Sequence, residues 1–474
     1  MHTSRDRLHV VIAGGGVAAV ESLLALRELA GPRVEITLLS PERQFLYRPV
    51  AVAEAFDRDQ AHSYALEDIL NYEGGGEIIW DRLESVVADE RVAVTASGER
   101  VPFDALIVAT GAIATEPLPG ALTFRGRGDV SALRGVVDDL LAGSARSVAL
   151  TLPAERTWPL PIYELALMTA GTLRQQGRNA EVWLVTPEEE PLELFGPAGS
   201  RAIREMLKAW QVRLQTSSRP SRVGGHTLVL AGGGEIYADR VVTLPELVGP
   251  RLHGLPHDQH GFIPIDSHGR VSGLEDIYAA GDVTAFPLKQ GGLAAQQADA
   301  VAETIVAGLG VPLTPKPFRP VLRGMLMTEG APLYLRAESQ RVSRETTVAT
   351  DATARLRSTR TASWASGRAL WWPDAKIAGR YLAPFLATAR PQPLSSALLT
   401  DRIAAPPSFS AADGEDASEL ALMLADCDAR WGDFGGAVDV LDGAEALQGM
   451  LPPEYEAKRR QWRSAVARPA SPSL

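Results

Sequence analysis

Gly14, Gly16 and Ala19 stand at the spacing G-x-G-x-x-A inside the run LHVVIAGGGVAAVESLLALRELAGPRVEITLLS, residues 8–40. Residues with little or no side chain at that spacing do one kind of chemistry well. They bring backbone N–H groups and a helix N-terminus against a pyrophosphate. Gly14 allows the tight turn, Gly16 lets backbone approach the anion, and Ala19 keeps the following helix near its sheet. The flanks supply the context this needs: an apolar strand (Val10, Val11, Ile12, Ala13), a helix pattern to Leu29, and a second strand over 34–39. The run predicts a bound dinucleotide; the alternative is a plain βαβ unit with a glycine-rich turn.

Two further strands end in small residues. Residues 103–111, FDALIVATG, give a buried strand stopping at Ala109, Thr110 and Gly111, and residues 275–282, EDIYAAGD, give another stopping at Gly281 and Asp282. In order and spacing the three segments resemble the FAD-dependent pyridine nucleotide-disulfide oxidoreductase superfamily, flavoproteins with two dinucleotide-binding domains. The resemblance implies that Gly14, Gly16, Ala19, Ala109, Thr110, Gly111, Gly281 and Asp282 bind FAD, Asp282 through the ribityl chain. It implies an α/β fold of two Rossmann-like three-layer domains, a C-terminal α+β region and a small helical tail.

The resemblance extends to other segments. The strand over 34–39 ends at Ser40, where an acid usually accepts the adenosine ribose hydroxyls. Ser40 is a weaker acceptor, and Glu42 could substitute or be a solvated loop carboxylate. A hairpin over 86–95 and a second turn at Ser97–Gly98 give a three-stranded meander as in the family, which would bring the Val86 backbone to the adenine. In Phe45-Leu46-Tyr47-Arg48-Pro49 the Arg48 guanidinium suits a phosphate, or else a surface salt bridge. In Phe286-Pro287-Leu288-Lys289-Gln290-Gly291-Gly292 a glycine pair opens a helix whose N-terminus would face the flavin pyrimidine edge, where negative charge collects on reduction. Lys289, Gln290 and Gly291 then belong to the flavin site. The Pro-x-Lys element resembles the sulfide:quinone reductase and flavocytochrome sulfide dehydrogenase branch, and the chain as a whole is nearest to the type II NADH dehydrogenase and sulfide:quinone reductase branch. The alternative for Lys289 is an exposed loop lysine.

The departures bear on function. The chain holds one cysteine, Cys427, so it lacks the thiol pair of the disulfide reductases and the cysteines of the sulfide:quinone branch. The second nucleotide fold is also altered. After a strand at 148–152 comes Pro153-Ala154-Glu155-Arg156-Thr157-Trp158-Pro159-Leu160-Pro161 in place of a glycine motif. Side chains there obstruct a pyrophosphate, and the next strand, ending Val185-Thr186-Pro187, shows no clear acidic ribose ligand. NAD(P)H binding is therefore open. Glu164, at the position of the glutamate that follows the family's glycine motif, would face the nicotinamide pocket, or it caps a helix start.

The expected organisation is a flavin domain from 1–125 and 256–315, a degenerate NAD(P)-binding-like domain at 126–255, and a C-terminal interface region at 316–390. A Pro/Ser/Ala-rich linker at 391–416 and a helical hairpin tail at 417–463 follow. The middle of the third region, 339–363, is rich in Ser, Thr and Arg and reads as a long loop or mobile segment. Residues 364–390 mix Trp364, Trp371, Trp372, Tyr381 and Phe385 with Arg368, Lys376, Arg380 and Arg390. The resemblance to type II NADH dehydrogenases and sulfide:quinone reductases implies a C-terminal amphipathic element resting on a membrane, an interface that aromatics and cations suit; the alternative is a helix packed on the flavin domain or at a homodimer contact. The second reading is favoured because the stretch is short. The tail is expected to dock on this chain or a partner.

The 474 residues carry a net charge of −11, which argues against nucleic acid. Residues 316–402 run the other way, with 14 Lys and Arg against 6 Asp and Glu. No apolar leader precedes the first strand, so a cytoplasmic protein is expected, if need be peripheral to the inner face of a membrane. Histidine spacing suggests no metal. The expected function is two-electron transfer from NAD(P)H or a small reductant, through FAD, to a quinone or small redox protein, with Lys289 and Glu164 as catalytic candidates. The alternative is a flavin-bearing interaction protein with little turnover.

Overall fold

The computed structural model describes residues 7–59, 62–72, 74–154, 157–339, 361–367, 369–371, 375–389, 441 and 453–466. The chain forms two units, Met1–Asp401 and Arg402–Leu474.

In the first unit, apolar runs such as HVVIA and ALIV can be buried on both faces only in a covered parallel sheet. They form one, in the order Ile277–Ala279, Ala105–Val108, Leu8–Ala13, Val34–Leu39, Glu77–Ile79. Helices Val17–Ala30 and Gly291–Gly308 cover one face; Ala18, Ala19, Leu23, Ala298 and Val301 join Val10 and Ile12 in its core. An antiparallel meander of Leu83–Val87, Val92–Thr95 and Arg100–Pro102 covers the other, packing Leu83 and Val101 on Val11 and Leu39.

A second parallel sheet runs Leu122–Thr123, Arg240–Thr243, Ser147–Thr151, Glu181–Val185, Arg213–Gln215. Helices Val130–Ala142, Leu160–Gln175 and Gly196–Ala209 accompany it. The last carries Pro197 in its first turn, where a missing N–H is tolerated. Two chain passages join the sheets, and they pair with each other: Ile113–Thr115 lies antiparallel to Glu246–Val248. Just beyond, Gly249 lies so close to the Gly261 carbonyl that a Cβ would overlap it.

An antiparallel sheet of Val321–Leu326, Leu333–Ser339 and Thr361–Ser366 follows. This corrects the long-loop reading of 339–363 at both ends. Ser339 pairs with Thr361 and Ala337 with Ser363, because β-branched and small residues facing a formed edge complete a ladder despite their polar composition. Residues 340–360 lie outside the described residues. A short helix, Leu382–Thr388, packs Leu382 and Phe385 into the core of the first sheet.

The second unit contains the helix Pro453–Val466, opened by a proline in its first turn. Glu456 and Arg460 pair one turn apart at 3.8 Å, and the Lys458 ammonium lies over the Tyr455 ring. The linker at 391–416, most of the hairpin tail and Cys427 lie outside the described residues.

Candidate active site

The two glycine-bearing turns at the carboxyl end of the first sheet interlock. Gly14 has φ +135°, and a Cβ there would overlap the Ala109 carbonyl oxygen. Its N–H donates to the Leu39 carbonyl at 2.8 Å, while the Ala109 N–H donates to the Ala13 carbonyl at 2.7 Å. Ala19 is fully buried where the helix meets the sheet. Gly14 is thus required by backbone packing. Gly16 is not: a Cβ there would meet no protein atom within 4 Å, and the same holds at Gly111, with φ +77°. Gly16 opens helix Val17–Ala30 with no side chain capping it. This bare N-terminus, free of side-chain cover, fits a pyrophosphate.

Beside it, Ser40 is fully buried, and its hydroxyl donates to the Glu42 carbonyl at 3.0 Å and lies 3.4 Å from Glu42 Oε2. Gly15 explains the small residue at 40, since a Cβ on it would stand 2.6 Å from Ser40 Oγ. Glu42 is the nearby carboxylate. The Arg43 guanidinium lies 4.8 Å from the centre of the Trp80 ring, just past strand Glu77–Ile79. The Val86 N–H, expected at the adenine, is spent on the His253 carbonyl at 2.9 Å. The Val86 carbonyl is shielded by the close approach of Gly254. The structure brings Val86 to another part of its own chain, not to an open site.

Gly281 turns the chain with φ +84° between the two helices that cover the sheet; a Cβ on it would stand 3.0 Å from that of Ala18. Its N–H donates to Gln297 Oε1 at 2.7 Å. Asp282, next in sequence, is partly buried. Burial raises its carboxyl pKa, and the charges of Lys289 and then Arg48 oppose the rise. The three residues singled out in separate segments therefore share one field. Lys289 is not a solvated loop lysine. Its ammonium donates to the Thr284 carbonyl and lies 3.7 Å from the centre of the Phe262 ring. Gln290 caps helix Gly291–Gly308, accepting from the Leu293 N–H at 2.9 Å and donating to the Arg323 carbonyl at 2.9 Å. The helix N-terminus is covered by a residue that sequence reasoning missed: a Cβ on Gly291 would stand 2.8 Å from Ile377 Cδ1.

Glu164 does not cap a helix start. It is fully buried on helix Leu160–Gln175, accepts the Met327 N–H at 2.8 Å, and pairs with Lys376 at 2.6 Å. Burial raises its pKa; the Lys376 ammonium and then the Met327 N–H pull it back. Lys376 also donates to the Pro49 carbonyl at 2.9 Å, next to Arg48. The pair therefore joins helix Leu160–Gln175, the Arg48 loop and the C-terminal segment. The only sequence signal for Lys376 was its place among the aromatics of 364–390. Those aromatics turn inward: Trp364 and Phe385 are buried, and Trp371 packs edge-on to Tyr334. Arg368, Trp372 and Arg390 lie outside the described residues.

The second sheet is unlike the first at the equivalent turn. Prolines 159 and 161 remove two N–H donors from the start of helix Leu160–Gln175, and the Ile162 N–H is spent on the Pro159 carbonyl at 3.1 Å. Trp158 packs edge-on to Phe195. An acid does stand past the second strand, one residue beyond the sequence reading: Glu188, 3% exposed. Its Oε2 already accepts the Tyr163 hydroxyl at 2.6 Å and the Thr186 hydroxyl at 2.8 Å. These residues do not fit a dinucleotide pyrophosphate bound in the manner of the first sheet.

The sequence model of the pyridine nucleotide-disulphide oxidoreductase family matches residues 8–140 and 165–306. The sulfide-quinone reductase of Aquifex aeolicus is 26% identical over 215 residues, 42% of this chain and 47% of that protein, so the chain spans about half the length of this relative. The ferredoxin–NAD(+) reductase subunit of the Pseudomonas putida benzene 1,2-dioxygenase system is 25% identical over 336 residues, 63% of this chain and 74% of that one. The fold is that of the Aquifex aeolicus sulfide:quinone oxidoreductase structure, with TM-score 0.64 and 20% identity over 76% of this chain and 87% of the other. The matched segments carry the interlocked glycine turns, Asp282 and the capped helix, and they span over half of the sequence. This chain belongs to the pyridine nucleotide-disulphide oxidoreductase family.

Proposed function

We propose that this chain takes an electron pair from NAD(P)H or a small reductant onto FAD and passes it to a quinone or a small redox protein. The observation that carries the reading is the bare N-terminus of helix Val17–Ala30 beside the interlocked turns of Gly14 and Ala109, with Asp282 under the charges of Lys289 and Arg48. When bound there, flavin supplies the two-electron chemistry. The chain's own groups set its surroundings. The bare start of helix Val17–Ala30 and the Arg48 guanidinium take up phosphate charge. Asp282 accepts hydroxyl hydrogens of the ribityl chain. The helix N-terminus and the Lys289 ammonium favour a negative charge beside them. Glu164 and Lys376 hold an exchangeable proton in a water-poor place.

The relatives support both acceptor classes, one being named a sulfide-quinone reductase and another a ferredoxin–NAD(+) reductase subunit. Among the described residues no helix is long and apolar enough to cross a membrane. The altered turn of the second sheet favours a second reading, a flavin-bearing interaction protein with little turnover. An anaerobic titration of the yellow protein with NADH, then NADPH, followed at the flavin absorbance, separates the two. Bleaching within seconds excludes the second reading. No response to either, nor to sulfide and quinol, sinks the first.

A further inference from the structure

Residues 375–382 cross the molecule as a strap. Lys376 is tied to Glu164 and Pro49, and the Ile377 N–H donates to the Tyr47 hydroxyl at 3.0 Å. The far end is held by one carboxylate: Glu21, fully buried on helix Val17–Ala30, accepts the Tyr381 N–H at 2.8 Å and the Leu382 N–H at 2.7 Å. Gly379 lets the strap pass this close, since a Cβ there would stand 2.5 Å from Glu21 Oε2. Glu21 does not act alone. Asp299, on helix Gly291–Gly308, hydrogen-bonds to it, and Asp299 Oδ1 is buried without a partner of its own.

We propose that Glu21 and Asp299 are a positioning pair for the flavin site, holding the strap so that Ile377 covers the N-terminus of helix Gly291–Gly308 and Lys376 reaches Glu164. The inference rests on the FAD reading of that site. Two carboxyl groups within hydrogen-bond distance need a proton between them. Asp299 holds it, because Glu21 already accepts two N–H groups and is the better anion. Both acids titrate above the usual carboxylate range, burial being the first cause and the mutual charge adding to it for Asp299. The other charged and titratable groups facing the pair are Arg380, Tyr381 and Glu303. Glu303 accepts the Arg380 guanidinium at 3.1 Å and the Lys316 N–H at 2.8 Å. When Asp299 loses its proton, two facing carboxylates repel, and the strap is the part that can lift.

The sign follows from linkage. The closed strap keeps Asp299 protonated to a higher pH than the open one, so closure weakens as pH rises through that interval and then levels. Amide hydrogen exchange on the FAD-loaded full chain, corrected for intrinsic rates, reads this directly. Protection at Tyr381 and Leu382 is expected to fall by about tenfold per pH unit across the interval. In Asp299→Asn, whose amide still donates to Glu21 but cannot titrate, the slope is expected to vanish. The pH dependence of KM for a short-chain quinone or a small iron–sulfur protein, whichever accepts electrons, should flatten with it. Glu21→Gln should lower protection at every pH. An unchanged slope in Asp299→Asn overturns the proposal, as does a slope shared by amides throughout the chain. If no FAD is retained, the flavin reading fails, while the exchange slope still decides whether the pair holds the strap.

Discussion

Lys376 sets its ammonium 2.6 Å from Glu164 Oε1 and 2.8 Å from Oε2, joining residues 212 apart in the chain, with the two side chains 7% and 0% exposed. Breaking such a pair from one side strands the other charge and costs about 3–5 kcal/mol. Lys376→Met should therefore lower stability strongly, and the deficit should grow with pH. Glu164 has a raised pKa with its partner present and a still higher one without it. A buried acid with a raised pKa loses stability as pH rises from the usual carboxylate range to that value. Urea unfolding of both proteins at pH 5, 7 and 8.5 checks this; a deficit independent of pH would contradict it.

The two glycines of the first turn should separate cleanly. Gly14→Ala forces a side chain onto the Ala109 carbonyl at φ +135° and should cost at least about 2 kcal/mol in the absence of ligand. Gly16→Ala meets no protein atom and should leave the apoprotein within about 0.5 kcal/mol. Its FAD affinity should nevertheless drop by about tenfold or more, for want of close approach to the phosphates. Thermal melts of apoprotein and a fluorescence titration with FAD test the pair; equal effects on stability would be the wrong outcome.

Asp282→Ala should weaken FAD binding by roughly ten- to hundredfold, the worth of hydrogen bonds to a charged group. Arg48→Ala should weaken it less and blunt its dependence on ionic strength, since the Arg48 side chain is exposed and acts through its charge. Titrations at low and high salt would show it, and an Arg48→Ala protein with unaltered salt dependence would remove Arg48 from the phosphate site.

Tyr163→Phe should cost about 1–3 kcal/mol. The Tyr163 hydroxyl donates to buried Glu188 and accepts the Leu192 N–H at 3.2 Å, and both would be left short of a partner. Guanidinium unfolding measures the loss; a neutral substitution would mean water replaces the hydroxyl and that the second turn is wetter than its packing suggests.

Legibility in the sequence followed the range of the interaction. The turn at Gly14 could be read because its strand, glycines and helix lie within one local run, and the ends at Gly111 and Asp282 because short apolar strands leave little choice. The role of Gly14 is clearer in the fold, where its rival for space is Ala109, in another strand. Lys376, Ile377 and Glu21 were out of reach, since each acts through a partner brought close only by the finished fold. Glu188 was hidden by Pro187, which suggested the strand had ended without an acid. Strand Thr361–Ser366 was misread because its polarity outweighed a pairing edge that local sequence does not show.

The antiparallel pairing of Ile113–Thr115 with Glu246–Val248 makes the link between the two parallel sheets a ribbon of two plies. A single connecting strand turns freely about its backbone bonds, whereas two paired strands part only when the N–H···O=C bonds between them break. The contact of Gly249 with Gly261 stiffens the same passage. The second sheet is thus joined to the first by a paired ribbon as well as by a shared apolar core. Helix Leu160–Gln175 is then held from two sides, by this ribbon through its sheet and by the Glu164–Lys376–Pro49 link through its own side chain.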